Sequence, residues 1–201
     1  CDLVIVQIKS PGGLLIESQN LAESLRDADG IHTVAFVPHS AISGGAYVAL
    51  GCDEIVMHPE ANLGDIGVIF MEYDAYQYVP EKLVSPVVTQ IRALAEHHGR
   101  SPALCESMVD KDCEVYRFVQ VDGREEKFMT EKEWESQANK DEWAKKELIL
   151  ESAKGKFLTV GGKRAVALKL AAGTADSLAD VQARFNVKEK QWLHYQPDTI
   201  D

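Results

Sequence analysis

Two apolar runs, each giving way at a glycine pair to a helical pattern, constrain this 201-residue chain more than any other feature. Leu3-Val4-Ile5-Val6-Gln7-Ile8 reads as a buried strand, followed by Lys9-Ser10-Pro11-Gly12-Gly13 and an amphipathic helix from Leu14 to Asp29. His32 to Pro38 reads as a second buried strand, and Ser40-Ala41-Ile42-Ser43-Gly44-Gly45-Ala46-Tyr47 hands it over to a helix running through Leu50. Buried strands alternating with helices make an α/β chain. Ligands of a parallel sheet lie at the carboxyl ends of its strands, so the Gly12-Gly13 amides and the Ser43 hydroxyl are expected to converge.

A hydroxyl where a strand becomes a helix meets free backbone N–H groups and the positive end of the helix dipole, which favour an alkoxide or oxyanion. The plainer reading of Ser43 is an N-cap, which helix starts select in any case. The glycine pair lets the backbone approach a substrate carbonyl and aim N–H groups at it. Neither turn has the G-x-G-x-x-G or P-loop spacing, so a nucleotide site gains little support. Ala41 occupies the first glycine position of a G-x-S-x-G elbow, which disfavours an α/β-hydrolase.

With 45% hydrophobic content the chain can bury one sizeable core, and residues 1–201 read as a single domain with an insertion over 113–156. A formal charge of -11 argues against nucleic acid or an anionic membrane as the main partner. No apolar run is long enough to span a bilayer. Cys1 in place of methionine, leading almost directly into a strand, reads as an excised fragment. Cys1, Cys52, Cys105 and Cys113 form no C-x-x-C pair, so no metal site is expected. Cys105 and Cys113 would stand roughly 12 Å apart on a continuous helix, too far for a disulfide.

Ser85-Pro86 is expected to open a helix whose face carries Val87, Val88, Ile91, Leu94 and Ala95 and which Gly99 closes. Ser101-Pro102 starts another. Val115 to Val121, an Asp122-Gly123 type I′ turn and Glu125 to Met129 read as a β-hairpin. Thr130 and Glu133 make a capping box for a charged helix through Trp134 and Trp143.

Ser10-Pro11-Gly12-Gly13, Ser43-Gly44-Gly45-Ala46-Tyr47, Asp53-Glu54-Ile55-Val56-Met57-His58-Pro59 and Asn62-Leu63-Gly64-Asp65-Ile66-Gly67-Val68-Ile69 resemble, in order and spacing, the successive motifs of the ClpP/crotonase-fold serine peptidases. Signal peptide peptidase A (SppA) and the membrane-bound NfeD proteases, partners of stomatin-like proteins, are the nearest branches. Lys82-Leu83-Val84 and the helix behind it resemble the NfeD lysine segment. The resemblance spans about residues 3 to 112 and 157 to 186. It implies a ClpP/crotonase-like repeated β-β-α superhelix with helices packed on the sheets, plus the β-hairpin/helix insertion.

It also implies a serine endopeptidase with a Ser43–Lys82 dyad, an oxyanion hole of Gly13 and Gly44 N–H groups with Gly12 as alternative donor, and no cofactor. The substrate would be a hydrophobic peptide or membrane-protein segment, stomatin-like proteins included. By the same resemblance the parent is membrane-associated, with this domain extracytoplasmic, and a homo-oligomer, at least a dimer. Lys82 qualifies as base if burial lowers its pKa, and Pro86, four residues on, places it in a bend or ahead of the helix. Asp65 stands where SppA-like enzymes carry a lysine-bonding serine, and would raise the pKa of Lys82 or pair with Lys9 instead. A crotonase-type acyl-CoA hydratase/isomerase and an inactive scaffold are the rival readings.

Overall fold

In the computed structural model the described residues are 2–72, 75–78, 81–186 and 192–195, with side chains described for 2–68, 84–186 and 192–195. In chain order the elements are β1 (Leu3–Gln7), α1 (Leu15–Arg26), β2 (His32–Val37), β3 (Ser40–Ile42), α2 (Gly44–Leu50), β4 (Glu54–Met57) and β5 (Asn62–Gly64). Then come β6 (Ile69–Glu72), β7 (Ala75–Tyr78), α3 (Glu81–His97), α4 (Pro102–Glu106), β8 (Tyr116–Gln120), β9 (Glu126–Met129) and α5 (Glu131–Glu135). The last are β10 (Trp143–Leu148), β11 (Thr159–Gly161), α6 (Gly162–Ala167), β12 (Gly173–Thr174) and α7 (Leu178–Arg184).

The larger sheet has strand order β1-β2-β4-β12 and is parallel throughout. Both of its faces are covered, which is why its strands read as continuous apolar runs rather than alternating ones. Ala35, Val37, Ile55 and Met57 face the main core with α2 and α3, while Val34, Phe36 and Val56 pack with Val181 of α7. A smaller sheet, ordered β11-β5-β3, lies across the chain's next steps. β2 leads into β3, and β4 into β5. After β1, a parallel bridge between Ser10 and Ala41 extends the same edge before α1 begins.

Helix α2 is buried along its whole length and α1 crosses it closely. A Cβ on Gly51 would sit 2.6 Å from the Ala22 Cα, so only glycine permits this approach. Arg100 is buried and donates to the carbonyls of Leu50 at 2.9 Å, Cys52 at 2.8 Å and Asp53 at 3.1 Å, satisfying the last turn of α2 and the chain beyond it.

Three local expectations are corrected. Helix α3 begins at Glu81 and contains Pro86, so Lys82 lies in its first turn and not in a preceding bend. Proline there removes only the bond to the Lys82 carbonyl, next to a turn whose N–H groups are unbonded by position. The hairpin pairs Val119 with Glu126, and in the connection 121–125 between β8 and β9 Gly123 alone has positive φ, at 75°, so no type I′ turn forms. The Thr130 capping box is present, but α5 stops at Glu135 and Trp143 starts strand β10, giving a three-stranded antiparallel sheet β10-β8-β9. Trp134 stacks on Phe118 at 5.6 Å, closing a small core with Met129 and Trp143. Cys52, Cys105 and Cys113 are free and buried.

Candidate active site

Ser43 sits between β3 and α2 with φ 54° and ψ −122°. A non-glycine residue in that region is strained by about 1–3 kcal/mol and persists only where its surroundings impose it. Here they do: the Ser43 N–H is held by the carbonyl oxygens of Gly64 at 3.1 Å and Asp65 at 3.0 Å, and its own carbonyl accepts from Tyr47 N at 3.0 Å. Ser43 makes no capping hydrogen bond, and among the described residues its half-buried hydroxyl has no partner. The N-cap reading therefore fails. An N-cap needs extended backbone to turn its oxygen onto the helix amides, and this backbone turns the oxygen away.

The glycine turn after β1 lies against this serine. A Cβ on Gly12 would stand 3.1 Å from Ser43 Cβ and 3.4 Å from its Oγ. Ser10 locks the turn, accepting from Gly12 N at 3.1 Å and donating to Gly12 O at 3.0 Å. Gly12 is thus committed, whereas the N–H groups of Gly13 and Gly44 have no hydrogen-bond partner among the described residues. Those two amides are neighbours, since a Cβ on Gly44 would come 3.2 Å from Gly13 N and collide with Ser18 Oγ. Ser18 is buried and turned onto Leu14 O at 2.8 Å, so the pair sits over a fixed floor. Two unpaired N–H groups beside an uncapped hydroxyl can hold the oxygen of a carbonyl under attack.

The remaining expected residues are distributed as follows. Lys82 lies in the first turn of α3, and its side chain lies outside the described residues. Lys9 is exposed, across β3 from Asp65. Neither Lys9 nor Asp65 forms an ion pair among the described residues, so their anticipated pairing is absent. Asp65 itself has φ 48°, a left-handed value that aspartate tolerates.

Sequence reasoning missed the tie between helices. The buried Tyr47 hydroxyl donates to Gln90 Oε1 at 3.2 Å, which also accepts from Gln19 Nε2 at 2.7 Å, so α1, α2 and α3 meet at one acceptor. Burial, partly offset by a bond with Gln19, pushes the Tyr47 phenol up to about 12, so it stays neutral. A tyrosine and two glutamines on three helices carry no spacing signal. Among the described residues no group of three His, Cys, Asp or Glu side chains is placed to hold a metal ion, and no helix is long and apolar enough to cross a membrane.

This mixed α/β frame matches known proteins. The family model "NfeD1b, N-terminal domain" matches residues 1–147, and the chain belongs to that family. It is 24% identical over 190 residues to "Membrane protein NfeD1b" of Bacillus subtilis (strain 168), covering 94% of this chain and 35% of that protein. To "Membrane-bound protease PH1510" of Pyrococcus horikoshii it is 26% identical over 116 residues, covering 55% and 26%. The "1510-N membrane-bound stomatin-specific protease", solved with a serine-to-alanine change, has the same fold: TM-score 0.63 at 18% identity, over 91% of this chain and 69% of that one. The chain spans about a third or less of the length of the curated relatives it matches.

Proposed function

We propose that the chain is the catalytic domain of a serine endopeptidase, a ClpP/crotonase-like repeated β-β-α superhelix over residues 1–201 with an insertion at 113–156. The observation that carries this reading is the strained, uncapped Ser43 beside the unpaired Gly13 and Gly44 amides. Ser43 Oγ attacks the peptide carbonyl while Lys82 takes its proton, and the oxyanion rests on the two N–H groups. Lys82 then protonates the leaving amine as the C–N bond breaks. Water, deprotonated by the same lysine, cleaves the Ser43 ester. No cofactor enters.

Support for the lysine comes from the 1510-N protease, solved also as a lysine-to-alanine variant in complex with a substrate peptide. Its two mutated positions stand at nearly the separation of Ser43 and Lys82. The substrate we infer is a hydrophobic segment of a membrane-associated protein, stomatin-like proteins among them. Leu14 and Ile16, 72% and 66% exposed, stand beside the Gly12-Gly13 turn as an apolar approach. Among the described residues strand β6 pairs only with β7, and an extended peptide would add along the apolar edge Gly67 to Met71. The parent protein is membrane-associated with this domain outside the cytoplasm, and works as a homo-oligomer, at least a dimer.

Intact mass spectrometry after incubation with peptide and acyl-CoA substrates tests this reading. A serine-linked acyl adduct is expected. Thioester turnover without an adduct would instead mark a crotonase-type enzyme, and neither would mark a scaffold.

A further inference from the structure

The small sheet ends in one line of residues. β3 and β5 run parallel, so Ser43 and Asp65 leave their strands at the same end, and the antiparallel β11 brings Phe157 to Thr159 to that end too. With strands ~4.8 Å apart, Asp65 lies one spacing from Ser43 and Thr159 two. A cavity of about 600 Å³ opens along this line, lined by Asp65, Leu150, Glu151, Lys156, Phe157 and Thr159. Its wall therefore comes from the end of the insertion as well as from the sheet.

The charges in it are unequal. Glu151 is bound by Arg164 at 2.7 Å, and Arg164, helped more weakly by Lys156, holds its carboxyl below the ordinary range. Asp65 is half-buried and has no ion pair among the described residues. Leu150, 71% exposed, offers an apolar face. We propose that this cavity is a substrate subsite for a lysine or arginine one or two residues from the scissile bond, with the stem along Leu150 and Phe157 and the cation at Asp65. At ~3.3 Å per residue of extended peptide, the Ser43–Asp65 spacing sets that offset. Basic residues flank apolar membrane segments, so such a subsite would place cleavage at the border of a hydrophobic stretch. The inference rests on Ser43 being the nucleophile only for the position of the peptide.

Binding to the Ser43→Ala chain, which cannot turn over, tests it. Labelled apolar decapeptides carrying lysine, or methionine as control, at each position in turn are titrated by fluorescence anisotropy. Lysine is expected to bind about tenfold tighter than methionine at one position. Asp65→Asn, which keeps a residue tolerant of positive φ, should abolish that preference, and Lys156→Glu should enlarge it. A lysine preference absent at every position, or surviving Asp65→Asn, would overturn the subsite. Because binding is read without turnover, an Asp65-dependent preference in Ser43→Ala together with a wild-type chain that cleaves none of these peptides would sink the peptidase reading and leave the subsite standing.

Discussion

The backbone N–H of Ser43 lies 3.0 Å from the carbonyl oxygen of Asp65, so the residue that follows β3 is pinned by the residue that follows β5. That bond, with its partner to Gly64, holds a serine in a backbone region where glycine is at home. Ser43→Gly should therefore relieve strain of about 1–3 kcal/mol, less about 0.5–1 kcal/mol for the looser unfolded chain. The melting temperature should rise by a few degrees while peptide cleavage disappears. Ser43→Ala, equally strained, should melt with the wild type. Differential scanning calorimetry separates the two.

Gly44→Ala should cost about 1–3 kcal/mol, because its methyl collides with the buried Ser18 hydroxyl. Adding Ser18→Gly removes that collision and should restore most of the stability. It should not restore cleavage, since the methyl still stands 3.2 Å from Gly13 N, where the proposed oxyanion would rest. Urea melts and peptide turnover of the single and double variants give the comparison.

Much of this site was legible in the residues. The Gly12-Gly13 and Ser43-Gly44-Gly45 turns follow apolar runs so directly that their convergence could be read from strand and helix punctuation, and Ser101-Pro102 opened α4 as expected, with Ser101 accepting from Leu104 N. The positive φ of Ser43 was not legible, because it is imposed by carbonyls on β5, about twenty residues away. The charged segment after Thr130 misled in another way. Its capping box forms, yet Trp143 is drawn into a strand by pairing with Gln120, a tertiary contact that outweighs local helix preference. Pro86 does not exclude Lys82 from α3, because a proline so near a helix start removes a single backbone bond beside a turn that lacks them by position.

Arg100→Met should destabilise the fold by about 3 kcal/mol, since it strands two buried carbonyls and a half-buried one that the guanidinium now satisfies. Arg100→Lys should recover only part, because a single ammonium cannot match the planar fork. Chemical denaturation at neutral pH measures both.

Burial, together with nearby Arg100, depresses His98 to about 4, with its side chain 2% exposed, its Nε2 donating to Gly51 O at 3.1 Å and its Nδ1 3.4 Å from Asp53. The folded value lies below the unfolded ~6.5, so the neutral form is favoured in the fold. Its contribution is complete above pH ~6.5 and is lost as pH falls toward 4, up to about 3 kcal/mol. His98→Gln should flatten the stability profile across that window.

The lysine assignment is tested most directly by single-turnover acylation, read as the Ser43 ester by intact mass, across pH and four chains. Adduct is expected in the wild type, rising with pH as the lysine loses its proton, and none in Ser43→Ala or Lys82→Ala, because dyad members act as a unit. Lys9→Ala should acylate nearly as fast as the wild type. Acylation surviving Lys82→Ala but lost in Lys9→Ala would contradict the dyad and move the base to the glycine loop.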